Sequence, residues 1–207
     1  MSLTLHAAEV VRALAPNVCW TRSRYGFAAE APSTDLLAQV PQQYVAFLEA
    51  LEPGEGFLGV SFLRLYPLDE LTAVNREYHV GEFLPACQLF GSDGSGNAYL
   101  FDFGKRPPEI IRVPFIPLDR KFASPLGTDF LGFVQAFATV PQGYRGPLPP
   151  RPNPETAGKE IHEIHPVVLG GDPTSQANKV LITPPQHAQA STYFNRLVRK
   201  MRERQGS

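Results

Sequence analysis

Cysteine, methionine and tryptophan are scarce in this chain: two Cys, two Met and one Trp among 207 residues. Cys19 and Cys87 cannot build a disulfide scaffold or a four-thiolate zinc site. No run approaches the ~18 consecutive apolar residues that a membrane span needs. The first residues, Met1 to Ala15, hold Glu9 and Arg12 inside their apolar run and lack a basic lead-in, which argues against a secretory signal. The expectation is one ordinary domain, or one domain plus a small appendage, soluble, in a reducing cytoplasm and without membrane contact. An excess of one charge is also lacking, since 19 Lys and Arg face 20 Asp and Glu.

That balance hides an uneven distribution. Residues 1–27 carry +2, residues 28–104 carry −9 and residues 105–207 carry +6. An acidic middle segment repels nucleic acid, so no nucleic-acid partner is expected, and it attracts cationic surfaces. One reading is a solubilising face; the other is a docking surface for a basic protein.

Proline is plentiful and crowds residues 139–158, where helix and central strand are both disfavoured. This stretch reads as a semi-rigid connector between a main domain, 1–138, and a C-terminal module, 159–207. In the main domain Val40, Tyr44, Phe47, Leu48 and Leu51 recur at helical spacing, and Glu52-Pro-Gly-Glu-Gly56 ends that helix. Phe57 to Leu65 reads as a strand and Pro67 to Tyr78 as a helix. Cys87–Phe90 and Asn97–Phe103 read as two strands around a Gly/Ser/Asp loop. Glu109 to Pro117 reads as a further strand near a sheet edge, because Pro114 lacks a donor. Asp129 to Ala138 closes the domain as a helix burying Phe130, Phe133, Val134 and Phe137. The fold class is therefore α+β.

The loop Gly91-Ser-Asp-Gly-Ser-Gly96 is not a phosphate loop, because no Lys-Ser/Thr pair follows and the next element is a strand. It is not an EF-hand either: Ala98 stands where that loop needs Gly, and Gly104 where it needs the bidentate Glu. It reads as a hairpin turn. Neither cysteine has a positioned base, and no nucleophile elbow is present.

Three segments in order, Pro41-Gln-Gln-Tyr44-Val-Ala-Phe47-Leu48, Leu65-Tyr66-Pro-Leu68-Asp69-Glu70-Leu71 and Phe90-Gly-Ser-Asp93-Gly94-Ser-Gly96-Asn-Ala-Tyr99-Leu-Phe101-Asp102, resemble the SUKH superfamily over about residues 25–138. Where that family often carries Asn-Gly-Gly, this chain has Glu52-Pro-Gly-Glu-Gly56. The resemblance implies a mixed or antiparallel sheet flanked by helices, no catalytic residues, and a role as an immunity protein that binds and neutralises a toxin. Under that reading Asp69, Glu70, Glu77, Glu82, Asp93 and Asp102 are the candidate toxin-binding residues, presenting negative charge to a basic partner such as a nuclease.

The C-terminal module carries Ile161-His162-Glu163-Ile164-His165, then Gly170-Gly171, Asn178 and His187. Ile164–Leu169 and Lys179–Ile182 read as strands. Thr183-Pro-Pro-Gln186 reads as a capping box opening a helix that runs to about Glu203 and buries Phe194, Leu197, Val198 and Met201. The pattern is similar to the ββα unit of His-Asn-His (HNH) nucleases. That resemblance implies metal ligands at His162 and His187 and an orienting role for Asn178. It departs from the family at two positions: Glu163 replaces the general-base histidine, and Ser191 stands one helical turn after His187, where a third ligand belongs. An ordinary glutamate is a weak base at neutral pH, and two histidines with a hydroxyl make a poor cation site. No cofactor is expected, and the module reads as inactive, with His162 and His187 holding the turn and Asn178 capping the Gly-Gly loop. The alternatives are a metal-dependent nuclease using His162, Asn178 and His187, or a regulatory scaffold. The basic residues of the last helix, Arg196, Arg199, Lys200, Arg202 and Arg204, suit a helix C-terminus.

Overall fold

A computed structural model describes residues 3–14, 18–146, 149, 153 and 155–205. Its elements are α1 (Leu3–Leu14), β1 (Val18–Arg22), α2 (Thr34–Gln39), α3 (Gln42–Leu51), β2 (Gly54–Leu58), β3 (Ser61–Leu65), α4 (Leu71–Glu77) and α5 (Val80–Phe83). There follow β4 (Cys87–Ser92), β5 (Asn97–Asp102), β6 (Glu109–Pro114), β7 (Ser124–Gly127), α6 (Phe130–Ala138), β8 (Glu160–Glu163), β9 (Lys179–Ile182) and α7 (Pro184–Gln205). Strands β1 to β7 form one sheet in sequence order, every pair antiparallel. The class is α+β, as the patterning indicates.

Local chemistry explains several elements. The Asp129 side chain accepts the Gly132 N–H at 2.9 Å and starts α6. Thr183 and Gln186 form the reciprocal box at the head of α7: Thr183 N–H donates to Gln186 Oε1 at 2.9 Å, and Gln186 N–H points back to Thr183 Oγ1 at 3.4 Å. Phe57–Leu65 is not one strand but two. A turn at Gly59-Val60 folds β2 onto β3, so that Phe57 faces Phe62. Gly59 sits at φ +61°, and a Cβ there would lie 2.6 Å from the Ala138 carbonyl oxygen. The strand at Glu109–Pro114 lies next to the edge of the sheet but is not the edge itself: the short β7 pairs beyond it, and Pro114 occupies only its last position. The segment 164–169 is not a strand; β8 lies earlier, at Glu160–Glu163, where its hydrogen bonding to β9 begins. In α7, Met201 is exposed, while His187, Ala188, Ser191, Thr192, Asn195 and Val198 face inward.

Side chains alternate across the sheet and divide the core. Tyr99 and Phe101 face α3 and α6, where Tyr44, Phe90, Phe130 and Phe133 meet them edge-on or stacked. The other face carries Glu55, Arg64 and Ser92 side by side in register. Against it lie β8 and α7, and α4 packs on α7. The C-terminal module is therefore not suspended on a connector. Residues 147, 148, 150–152 and 154 of the proline-rich run lie outside the described residues, and the chain that follows lies on the sheet: the Ile161 N–H donates to the Gly94 carbonyl at 3.1 Å.

The lock between the two parts is ionic. Arg64, Glu55 and Glu160 are all essentially inaccessible. The Arg64 guanidinium donates through Nε to Glu55 at 2.8 Å, pairs with Glu160, and donates through Nη2 to the Lys159 carbonyl at 2.8 Å. The Ser92 hydroxyl donates to Glu160 at 3.0 Å, and the Tyr25 ring lies 5.0 Å from the guanidinium carbon. Burial alone would depress the Arg64 pKa, but the Glu160 and Glu55 carboxylates outweigh it and raise it, so the cation persists. Removing the cation strands two buried carboxylates. Arg64→Leu is expected to lower unfolding free energy by about 3–5 kcal/mol in urea titrations. Replacing Glu55, Arg64 and Glu160 together by leucine should recover most of that loss.

Candidate functional site

Hairpin β8–β9 lies over the head of α7 and brings the module's histidines together. His162, on the inward face of β8, and His187, in the first turns of α7, are both buried, with ring centroids 5.3 Å apart and planes nearly perpendicular. His187 Nδ1 lies 2.8 Å from the Tyr78 hydroxyl, a residue of the main domain. The Phe115 ring meets the His187 imidazole at 4.8 Å, edge to face. Burial, with smaller contributions from His162 and Arg64, pulls the His187 pKa down to about 3, so the ring is neutral at neutral pH. His162 is also lowered by burial, against the opposing pull of Glu163.

Asn178 holds the loop between the strands. Its Oδ1 accepts the His165 N–H at 2.7 Å, and its Nδ2 donates to the carbonyls of His165 and Asp172 at 2.9 and 3.1 Å. His165 itself is exposed and lies apart from the buried pair. Glu163 accepts the Val167 N–H at 3.1 Å and so caps the turn that follows β8.

The HNH resemblance implies a divalent cation, and the residues present do not fit one. Ser191, one turn beyond His187, is buried with its Oγ unbonded, and a neutral hydroxyl is a weak third donor beside two imidazoles. Among the described residues no cluster of three His, Cys, Asp or Glu side chains could hold a metal. The position of the general base is taken by a carboxylate that caps a turn. A cleft of about 670 Å³ opens beside the pair, walled by Phe115, Pro117, Phe122, Val167 and Val168. Apolar side chains dominate its lining, with His162, Glu163, His187 and Lys179 also on it.

The acidic residues do not form the single negative face that the sequence suggests. Glu70 is 1% exposed, takes the Tyr25 N–H at 3.2 Å and pairs with Arg24 at 3.1 Å. Asp102 is 1% exposed and pairs with Arg120. Burial would raise its carboxyl, but hydrogen bonds from Arg120 and the Gly104 N–H hold it below the usual range. Asp93 accepts the N–H groups of Ser95 and Asn97, each at 2.9 Å, and fastens the β4–β5 turn. Glu82 is bridged by Arg196 at 2.8 Å and Arg199 at 3.4 Å, and Arg196 foremost lowers its pKa. Asp69 pairs with Arg24 at 2.8 Å, and Glu77 stands exposed beside Arg76 at 3.7 Å. Buried carboxylates and those already engaged by arginine present little free charge to a partner.

Reading by sequence passes over a different surface. Ile161, Ile164, Val167, Val168, Val180 and Leu181 are all exposed. The sequence signal of this surface is two short apolar runs, at 164–169 and 180–182, on either side of the Gly-Gly loop.

No protein-family model matches the chain, and no curated protein matches it.

The buried neutral His187 makes the fold acid-sensitive. Its folded pKa is lowered, so charging it costs stability as pH falls below ~6.5, the ordinary histidine value, and the loss grows until about pH 3. Thermal melts between pH 7 and pH 4 should show a decline of up to about 1.4 kcal/mol per pH unit that His187→Phe flattens. An equal slope in the variant would assign the acid sensitivity elsewhere.

Proposed function

We propose that the protein is a cytoplasmic immunity protein that binds a cognate secreted toxin and neutralises it by occlusion. The observation that carries this reading is the set of exposed aliphatic side chains between Ile161 and Leu181, spread over both sides of a hairpin locked to the sheet by buried ions. Exposed apolar surface on a rigid support is characteristic of protein–protein interfaces. The likeness of residues 25–138 to the SUKH superfamily supports the same conclusion. The altered histidine cleft supports it further, because the ββα unit keeps its architecture without a full ligand set or a free base.

Electrostatic steering is a smaller part of this reading than the −9 segment suggests, since most of those carboxylates are engaged within the chain. Contact area and shape complementarity supply slow dissociation instead. Co-expression with the toxin gene encoded beside it should rescue growth, and the two proteins should co-elute in gel filtration. Failure to bind any neighbour-encoded effector removes the reading.

A nuclease is the second reading, favoured by the meeting of His162 and His187 rings. Plasmid incubated with the purified protein and Mg²⁺, Zn²⁺ or Ni²⁺ separates the two. The expected result is intact plasmid with both wild type and His187→Ala; cleavage lost in the variant would favour the enzyme.

A further inference from the structure

On the side of the hairpin away from the histidines lies a groove of about 950 Å³ between the outer face of β8–β9 and the sheet. Phe57 and Phe62 form its floor, Ile161 and Leu181 one wall, and Lys159 and Lys179 its charged rim. The hydrogen-bond register shows what else it offers. The Ile164 N–H donates to the Asn178 carbonyl, so 164 and 178 form a hydrogen-bonded pair, as do His162 with Val180 and Glu160 with Ile182 two steps on. Ile161 and Leu181 then point their backbone groups away from each other. On β8 that outward N–H is taken by Gly94. On β9 it is not: the small sheet has only two strands among the described residues, and the outer edge of β9, with the N–H and C=O of Leu181, has no strand beside it.

An open strand edge beside an apolar trough is the geometry of strand addition, in which main-chain hydrogen bonds give affinity and alternate side chains give selectivity. The charges on the rim choose the occupant. Lys159 and Lys179 make no ion pair among the described residues; Lys179 lies near enough to Asp172 to lower its pKa and stands opposite Glu163 in the β8–β9 register. The acids bordering the groove are already engaged, Glu55 by Arg64 and Asp93 by the turn it fastens. We propose that this groove receives an extended segment of a partner protein that adds to β9 as a third strand, with apolar side chains over Phe57, Phe62 and Leu181 and carboxylates meeting Lys159 and Lys179. The proposal rests on the binding function above and names the part of the surface that performs it.

The test uses the full-length protein and a library of random linear peptides displayed on phage. Enriched peptides should alternate apolar residues with Asp or Glu. Their affinity, measured as synthetic peptides by fluorescence anisotropy, should fall at least about tenfold, or 1.4 kcal/mol, in Leu181→Pro. That substitution removes an outward N–H and leaves the β8–β9 ladder intact, and an unchanged circular dichroism spectrum and melting temperature verify the fold. Lys159→Glu with Lys179→Glu should exchange the preference for acidic peptides for one for basic peptides. Absence of enrichment, enrichment of basic peptides, preference for a single-stranded oligonucleotide over any peptide, or binding indifferent to these variants would each overturn the proposal. A neighbour-encoded toxin that binds Leu181→Pro as tightly as wild type would overturn the groove and leave the immunity function standing. Groove-dependent peptides in the absence of any toxin partner would do the reverse.

Discussion

The guanidinium of Arg64 has two carboxylates, one from the adjacent strand and one from far along the chain, and the arrangement of the molecule follows from that. A buried cation needs compensation on every side. Glu55 supplies half of it from β2, and Glu160 supplies the other half only if the polypeptide returns across the sheet after α6. With Glu160 fixed there, β8 begins at that point, His162 faces inward two residues later, and α7 is placed so that Asn195 can take the Leu118 N–H at 2.9 Å and donate to the Phe115 carbonyl at 3.0 Å. What reads in sequence as a domain, a linker and a module is in space one sheet with helices on one side and a hairpin–helix unit on the other.

The same logic accounts for the uneven charge. The acidic middle of the chain is matched by bases from its two ends: Glu82 meets Arg196 and Arg199, Asp69 and Glu70 meet Arg24, and Glu52 meets Arg22. Farther along, Asp102 meets Arg120 and Asp119 meets Arg202. Many of these pairs are at the surface and each is worth at most about 1 kcal/mol. Together they define which faces come together, which is an instruction for self-assembly of one chain more than a field directed at another molecule.

What sequence patterning captured is what neighbouring residues determine. The Asp129 cap, the Thr183–Gln186 box, the α3 stripe ending at Glu52 and the Asp93-fastened hairpin all depend on partners within a few positions. The misreadings have equally local causes. Gly59-Val60 is too apolar to look like a turn, so β2 and β3 merge into one run. Pro114 points to the neighbourhood of the sheet edge, but nothing in composition reveals that it is the last residue of its strand, or that the short, proline-containing β7 lies beyond it. In the candidate site, the histidines and Asn178 were legible through their likeness to the HNH pattern. The exposure of the hairpin's aliphatic side chains and the Tyr78–His187 contact were not, because each depends on which way a strand faces once residues distant in sequence have packed.

The tight approach of Gly59 to the end of α6 reaches further than its own turn. A single hydrogen atom, in place of a side chain, lets the β2–β3 bend sit against the Ala138 carbonyl, and that carbonyl marks where the polypeptide departs from the first packed layer. The bend is thus a stop against which the departing chain is set, fixing the starting point of the excursion that must end at Glu160. A methyl group on the bend would move the launch point while the landing point stayed put.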